Sequence, residues 1–257
     1  MRFFTWFLKS LYHQQTILAS RLRPTIHVLG HVCFTILFAL LPYCLVLSVT
    51  IWSGFTHIEN GLSNTEVDFT IKNGELHTDV HSIPYTDEVD PTFALFIDPT
   101  NQLSAEEMRQ NGLLLQGREA FLQTDHFEQS LPYTLLGNDI QTKTDILNQI
   151  VSIKSFLPIL FIILSVIIVS VMIGSAFLAT SMMALIASLF FRQYPNIQYI
   201  HLWKIAAHVM PLPVITYAWL VVWMNDLSIL LLVFALIGLY MYLLTKLPRK
   251  KKSRKTS

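Results

Sequence analysis

Residues 155–191 read SFLPILFIILSVIIVSVMIGSAFLATSMMALIASLFF, 37 residues without one Asp, Glu, Lys or Arg. About 20 apolar residues at 1.5 Å rise each carry a helix across the roughly 30 Å hydrocarbon core of a bilayer. The stretch is therefore too long for one ordinary crossing and has no polar turn at which two could be joined. Gly174, Ser175, Thr180 and Ser181 are small residues that a continuous helix tolerates. The reading is one long helix, kinked or projecting beyond the bilayer.

Three more charge-free runs, at 24–58, 205–225 and 227–245, flank this one. Each fits a single crossing, which predicts a mainly α membrane protein with four transmembrane helices at 25–54, 148–191, 205–224 and 227–245. Composition agrees: 53% of residues are hydrophobic and 14% charged, where ordinary globular chains carry about a quarter charged. The net charge of +1 conceals two opposed regions. Every acid except Asp226 lies between residues 54 and 153, while seven bases and no acid occupy 246–257. Lys and Arg accumulate on the cytoplasmic side of a membrane. The charges thus predict a plasma-membrane protein with both termini cytoplasmic and residues 55–147 extracytoplasmic. A second crossing inside 155–191 would send the basic tail at 246–257 outside, against that rule.

Residues 1–24 form a cytoplasmic amphipathic segment. Phe3, Phe4, Trp6, Phe7, Leu8, Leu11 and Tyr12 alternate with Arg2, Lys9, Ser10, His13 and Gln14. At helical spacing this gives an aromatic face and a basic or polar face, suited to an interfacial helix; the alternative is that the aromatic face packs under the other helices. The first apolar run starts late and lacks a small-x-small cleavage pattern, so an uncleaved anchor is expected. Cys33 and Cys44 are about 16 Å apart along one helix and cannot bridge within it.

The acidic region changes pattern to short strands and turns. Val67, Phe69 and Ile71 alternate with polar residues up to Asn73–Gly74, then Leu76 and Val80 follow. Asn-Gly suits a type I′ hairpin because both central residues need positive φ. A strand at 93–97, a capped short helix at 104–108, a second hairpin at 112–123 and a last strand at 133–136 follow. Asp139 or Thr142 then caps a helix through Ile146, Ile150 and Ile153 into the second crossing. The whole is a small α+β, mostly β, module. Between the spans, 192–204 reads as a cytoplasmic loop.

Several segments together resemble a bacterial multi-pass membrane family of unknown function, some of whose members are named maltodextrin-utilisation proteins. They are Ser10–Leu11–Tyr12, FTIKNGEL at 69–76, FIDPT at 96–100, GLLL at 112–115 and the segment from Tyr199 to Pro213 with Trp203, Lys204 and Pro211. The last segment also resembles Yip1-type multi-pass proteins more distantly. The resemblance spans nearly the whole chain. It implies a Gram-positive plasma-membrane protein linked in some members to maltodextrin uptake, with no catalytic residues to carry over.

Motifs for chemistry are mostly lacking. There is no H-E-x-x-H, no G-x-S-x-G and no G-x-x-x-x-G-K-[ST]. His27 and His31, at i and i+4, with His201 and His208 across the bundle, are the candidate metal ligands; the plainer reading is histidines bonded to backbone or headgroups. No Asp, Glu, Lys or Arg is embedded in the charge-free body of any predicted crossing, which argues against a proton-driven pump. Pro211 and Pro213 mark a kink or pathway in the third span. Tyr85, Asp87, Glu88 and Asp90 are a candidate ligand patch, set against a simply acidic solvated surface. The basic tail has no interleaved aromatics, so nucleic acid is not an expected partner. No catalytic residue and no cofactor is expected. The partners are the bilayer, carbohydrate-uptake membrane proteins and, through the small residues near Gly174, a second copy of the chain. Three functions are consistent: a non-enzymatic accessory or sensory protein of maltodextrin and carbohydrate utilisation, a small transporter or flippase-like protein, and a membrane enzyme on lipid or wall precursors.

Overall fold

The computed structural model describes residues 3–78, 85–90, 93–103, 111–124, 127–136, 140–192, 196–224 and 227–247. The chain divides into two compact units, Met1–Leu47 with Ile162–Ser257 and the intervening Ser48–Phe161. Two helices pass unbroken from one unit to the other: α3 (Thr25–Asn64) and α4 (Lys143–Phe191).

In the first unit the chain starts with α1 (Phe3–Tyr12), α2 (Gln14–Ala19) and a 3-10 turn, Ser20–Leu22. It returns after α4 with α5 (Tyr199–Val209), α6 (Pro211–Val221) and α7 (Ile229–Thr245). The core combines Val28, Val32, Ile36 and Leu40 of α3, Ala176, Ala184 and Ala187 of α4, Leu202, Ile205 and Val209 of α5, and Leu236, Tyr240 and Leu243 of α7. The alanines of α4 let neighbouring backbones approach closely. Polar side chains inside bond to backbone: Tyr240 Oη donates to Leu202 O at 3.2 Å and Thr180 Oγ1 to Ala176 O at 2.6 Å. Along α4, by contrast, Phe156, Ile162, Val166, Val171, Leu178 and Leu189 are all exposed. An apolar surface of that extent is compatible with lipid and poorly suited to water.

Among the described residues, three helical segments are long and apolar enough to cross a membrane: Thr25–Asn64, Lys143–Phe191 and Tyr199–Val221. The fourth expected crossing is the 17-residue α7, about 26 Å at 1.5 Å per residue, somewhat under the roughly 30 Å core. Residues 155–191 form part of a single helix, as the lack of a turn suggests. Other boundaries move. α3 continues past residue 54 to Asn64 because Ile58 and Leu62 have an apolar core to join. The loop expected at 192–204 is shorter, since α5 begins at Tyr199 behind a capping box between Gln198 and His201. Lys204 thereby enters a helix, and its Nζ donates to Arg23 O at 2.6 Å.

Among its described residues the second unit holds two sheets. β1 (Phe69–Lys72) and β2 (Glu75–Thr78) form the Asn-Gly hairpin, with φ of 53° at Asn73 and 76° at Gly74. β8 (Gln141–Thr142) completes this sheet on the other side of β1. The second sheet runs β3 (Tyr85–Asp90), β4 (Phe93–Asp98), β5 (Gly112–Gln116), β6 (Glu119–Thr124), β7 (Phe127–Pro132). All its pairs are antiparallel except β4–β5, which is parallel. Parallel strands need a crossover, supplied here by residues 99–111. The short helix expected at 104–108 falls in that crossover, outside the described residues. Asp98 starts the crossover: its fully buried carboxylate accepts from Thr100 N, Thr100 Oγ1 and Leu103 N. Residues 133–136 are a 3-10 turn, not the expected strand. The strand before it ends at Pro132, and Tyr133 instead turns its ring into the core.

That core is shared by Leu62 of α3, Phe69, Ile71 and Leu76 of the first sheet, and Leu95, Ile97, Leu113 and Leu115 of the second. Ile146, Leu147 and Ile150 of α4 pack against it. The start of α4 is fixed by a capping box in which Thr142 Oγ1 and Asp145 reciprocate, Thr142 N donating to Asp145 Oδ2 at 2.9 Å.

Candidate functional site

The buried face of α3 recurs at Val28, His31, Val32, Thr35 and Ala39, the spacing of one helical stripe. His31 lies on that stripe and His27 does not; His27 is exposed. On α5, residues 202–203 and 205–209 are all buried, which carries His208 inside, whereas His201 is taken up by the helix cap. The histidines that meet are therefore His31 and His208. Their rings stack with centroids 4.1 Å apart and planes 9° from parallel.

His208 Nδ1 donates to Lys204 O at 2.9 Å, which leaves its Nε2 as the unprotonated nitrogen. Neither His208 Nε2 nor His31 Nε2 has a partner among the described residues, and both atoms are fully buried. α1 closes the pair from the side. Trp6 meets His208 edge to face at 6.4 Å, and Phe7 meets His31 at 5.4 Å. Aromatic contacts continue through Phe34 and Phe38 to Trp219. The Arg23 guanidinium lies 3.5 Å above the Trp6 ring; burial lowers the pKa of Arg23 from its ordinary value, though an arginine retains its charge. No carboxylate appears among these contacts.

The arrangement bears on the candidate metal site. An imidazole binds a metal along an in-plane lone pair, and two parallel planes one ring thickness apart share no such point. His31 and His208 thus do not converge on one ion, and His27 and His201 lie apart from the stack. Among the described residues no group of three or more His, Cys, Asp or Glu is placed to hold a metal. The interfacial expectation for α1 is also modified. Phe7 and Ser10 are buried against the helices, while Phe4, Leu8 and Tyr12 on the other side stay exposed. Pro211 and Pro213 are buried at the start of α6; α5 ends at Val209, and Val214 N still donates to Met210 O at 3.0 Å.

A second constellation sits in the other unit, on the α3 and α4 segments that reach the β module. Lys154 Nζ is 2.6 Å from Glu59 Oε2 and 5.2 Å from the centre of the Trp52 ring. Lys143 Nζ donates to Thr65 O at 2.6 Å. Glu59 and Lys154 are the charges at which two apolar runs stop. The sequence thus marked their positions but not their pairing. The candidate ligand patch Tyr85, Asp87, Glu88 and Asp90 lies on β3, and those side chains are outside the described residues. A shallow groove of about 420 Å³ opens at the first sheet, with Asp68, Thr70, His77 and Thr78 around its polar rim.

No curated protein and no solved structure matches the chain. The family described as "Protein of unknown function (DUF1189)" matches residues 4–245, and the chain belongs to it.

Proposed function

We propose that this family member is a non-enzymatic, multi-pass protein of the bacterial plasma membrane, with an accessory or sensory role in maltodextrin or other carbohydrate utilisation. It crosses four times through α3, α4, the α5–α6 pair and α7, with both ends in the cytoplasm and the β module outside. One observation carries the reading: α3 and α4 are continuous helices whose far ends supply Leu62, Ile146, Leu147 and Ile150 to the core of the β module. A ligand or partner that shifts that core acts directly on two helices that enter the bilayer. An accessory protein requires that kind of mechanical continuity and no paired acid and base.

Two experiments test it. Single-cysteine labelling in intact cells is expected to reach Lys72→Cys from the medium and to leave Ser253→Cys protected; the reverse pattern removes the topology. Deletion of the gene is expected to lower maltodextrin uptake by a separate transporter. Purified protein that moves labelled maltodextrin into liposomes by itself would instead establish the transporter reading, with its path at the α5–α6 junction beside Pro211 and Pro213.

A further inference from the structure

We infer that His31 and His208 form a proton-operated latch for the N-terminal helix α1, closed while both imidazoles are neutral and opened by acid. The inference concerns the helical unit alone and is independent of what the β module binds.

The geometry supplies three parts. The first is a contact that only a neutral pair tolerates: two parallel rings 4.1 Å apart, each residue no more than 2% exposed. A proton on either Nε2 sets a cation against the second ring, with the Arg23 guanidinium held over Trp6, the ring that meets His208. The second part is the absence of compensation. Among the described residues of the helical unit, the other titratable or charged groups on the packed elements are Lys9 and Tyr12 of α1, His13 before α2, Arg21 and Arg23 of the 3-10 turn and its exit, His27, Cys33, Tyr43 and Cys44 of α3, Tyr199, His201 and Lys204 of α5, Tyr217 of α6, and Tyr240 and Tyr242 of α7. None is a carboxylate. The third part is the mover. Phe7 and Trp6 of α1 contact the two imidazoles directly, so withdrawal of α1 uncovers both rings. α1 keeps an apolar side for this purpose, since Phe4, Leu8 and Tyr12 already face outward and suit an interfacial position once the helix is freed.

The sign follows from linkage. The closed state holds the rings unprotonated, and the open state lets each titrate near the ordinary histidine value of about 6.5. Closure is undisturbed above that pH and weakens below it. At pH 5 each imidazole that regains its ordinary titration shifts the equilibrium by about thirtyfold toward the open state.

The test uses full-length protein in nanodiscs with Cys33 and Cys44 replaced by Ala. Ser10→Cys places a thiol at a buried position of α1, and Tyr12→Cys an exposed one. Maleimide labelling of the first is divided by that of the second, which cancels the pH dependence of the thiol itself. The ratio is expected to rise at least tenfold from pH 8 to pH 5, and to stay flat when His31 and His208 are both changed to Phe. A ratio that does not change with pH in the wild-type background overturns the latch, as does an acid response that survives in the double variant. If the double-Phe protein does not fold, His31→Gln and His208→Gln made singly replace it. Each must reduce the acid response, and an undiminished response in both overturns the proposal equally.

Discussion

Lys154→Met removes the cation that ties α4 to α3 beside the β module, and its cost can be bounded from the structure. At 2.6 Å and an effective dielectric constant of about 20 the bare attraction is about 6 kcal/mol, most of it offset by desolvation. Fully exposed pairs contribute about 0–1 kcal/mol, and breaking a buried pair costs about 3–5 kcal/mol. The Lys154 and Glu59 side chains are 18% and 28% exposed, which places this pair between those limits, at about 2 kcal/mol including the loss over the Trp52 ring. That corresponds to roughly thirtyfold faster local opening. Hydrogen exchange of the full-length protein in nanodiscs, followed on peptides covering 55–64 and 143–154, reads it directly. Glu59→Gln alone should loosen the same peptides. The Glu59→Gln, Lys154→Met double variant should lose less than the two single effects added, because neither charge is then left unpaired. Strictly additive losses, or a single variant that exchanges at the wild-type rate, would refute the clamp.

Tyr133 buries a phenol whose Oη has no partner among the described residues. Burial, and then Glu119, push its pKa above the ordinary value of about 10. Tyr133→Phe is therefore expected to leave the module unharmed or to stabilise it by about 1 kcal/mol. Since the raised value favours the neutral phenol in the folded state, its contribution holds below pH of about 10 and is lost above it. Alkaline melting of the wild type should accordingly exceed that of Tyr133→Phe, and equal alkaline loss in both proteins counts against the burial. Gly112→Ala puts a Cβ 2.5 Å from the Ala94 carbonyl oxygen across the parallel β4–β5 pair, so loss of about 1–3 kcal/mol by thermal denaturation is expected. Gly174→Ala, with nothing within 4 Å of the new methyl, should change stability by less than about 1 kcal/mol. A larger loss there, accompanied by a smaller particle in mass photometry, would mean that a second copy covers the small-residue face.

How much of this was legible in advance differs by scale. Length and charge alone identified the apolar helices, because a run of 37 uncharged residues has few places to go. The Asn73–Gly74 hairpin was also readable, since its turn chemistry is local. The strand order was not: β4 and β5 are adjacent and parallel only because the crossover at 99–111 returns the chain, and nothing in GLLL at 112–115 specifies its neighbour. Tyr133 misled because an aromatic residue after a strand scores as more strand, whereas Pro132 ends the ladder and frees the ring for the core. The boundary at 54 moved for a similar reason. Hydropathy falls where the module begins, yet Ile58 and Leu62 sustain the helical stripe ten residues further.

The histidines show the limit most sharply. Spacing of i and i+4 on α3 correctly puts His27 and His31 a turn apart, but it says nothing about which of them lies on the stripe shared with Val28 and Val32. The partner of His31 comes from α5, 177 positions later, and is selected by helix packing. One sequence signal could have found the pairing. α1 carries Trp6 and Phe7 consecutively, pointing about 100° apart around the helix, so an aromatic pair there must bridge two different elements if it is buried at all. Among the described histidines, His31 on α3 and His208 on α5 are the two that are buried. Trp6 meets His208 and Phe7 meets His31, so α1 lies across the junction of α3 and α5, and a change of charge at either ring acts first on the contact with the amino-terminal helix.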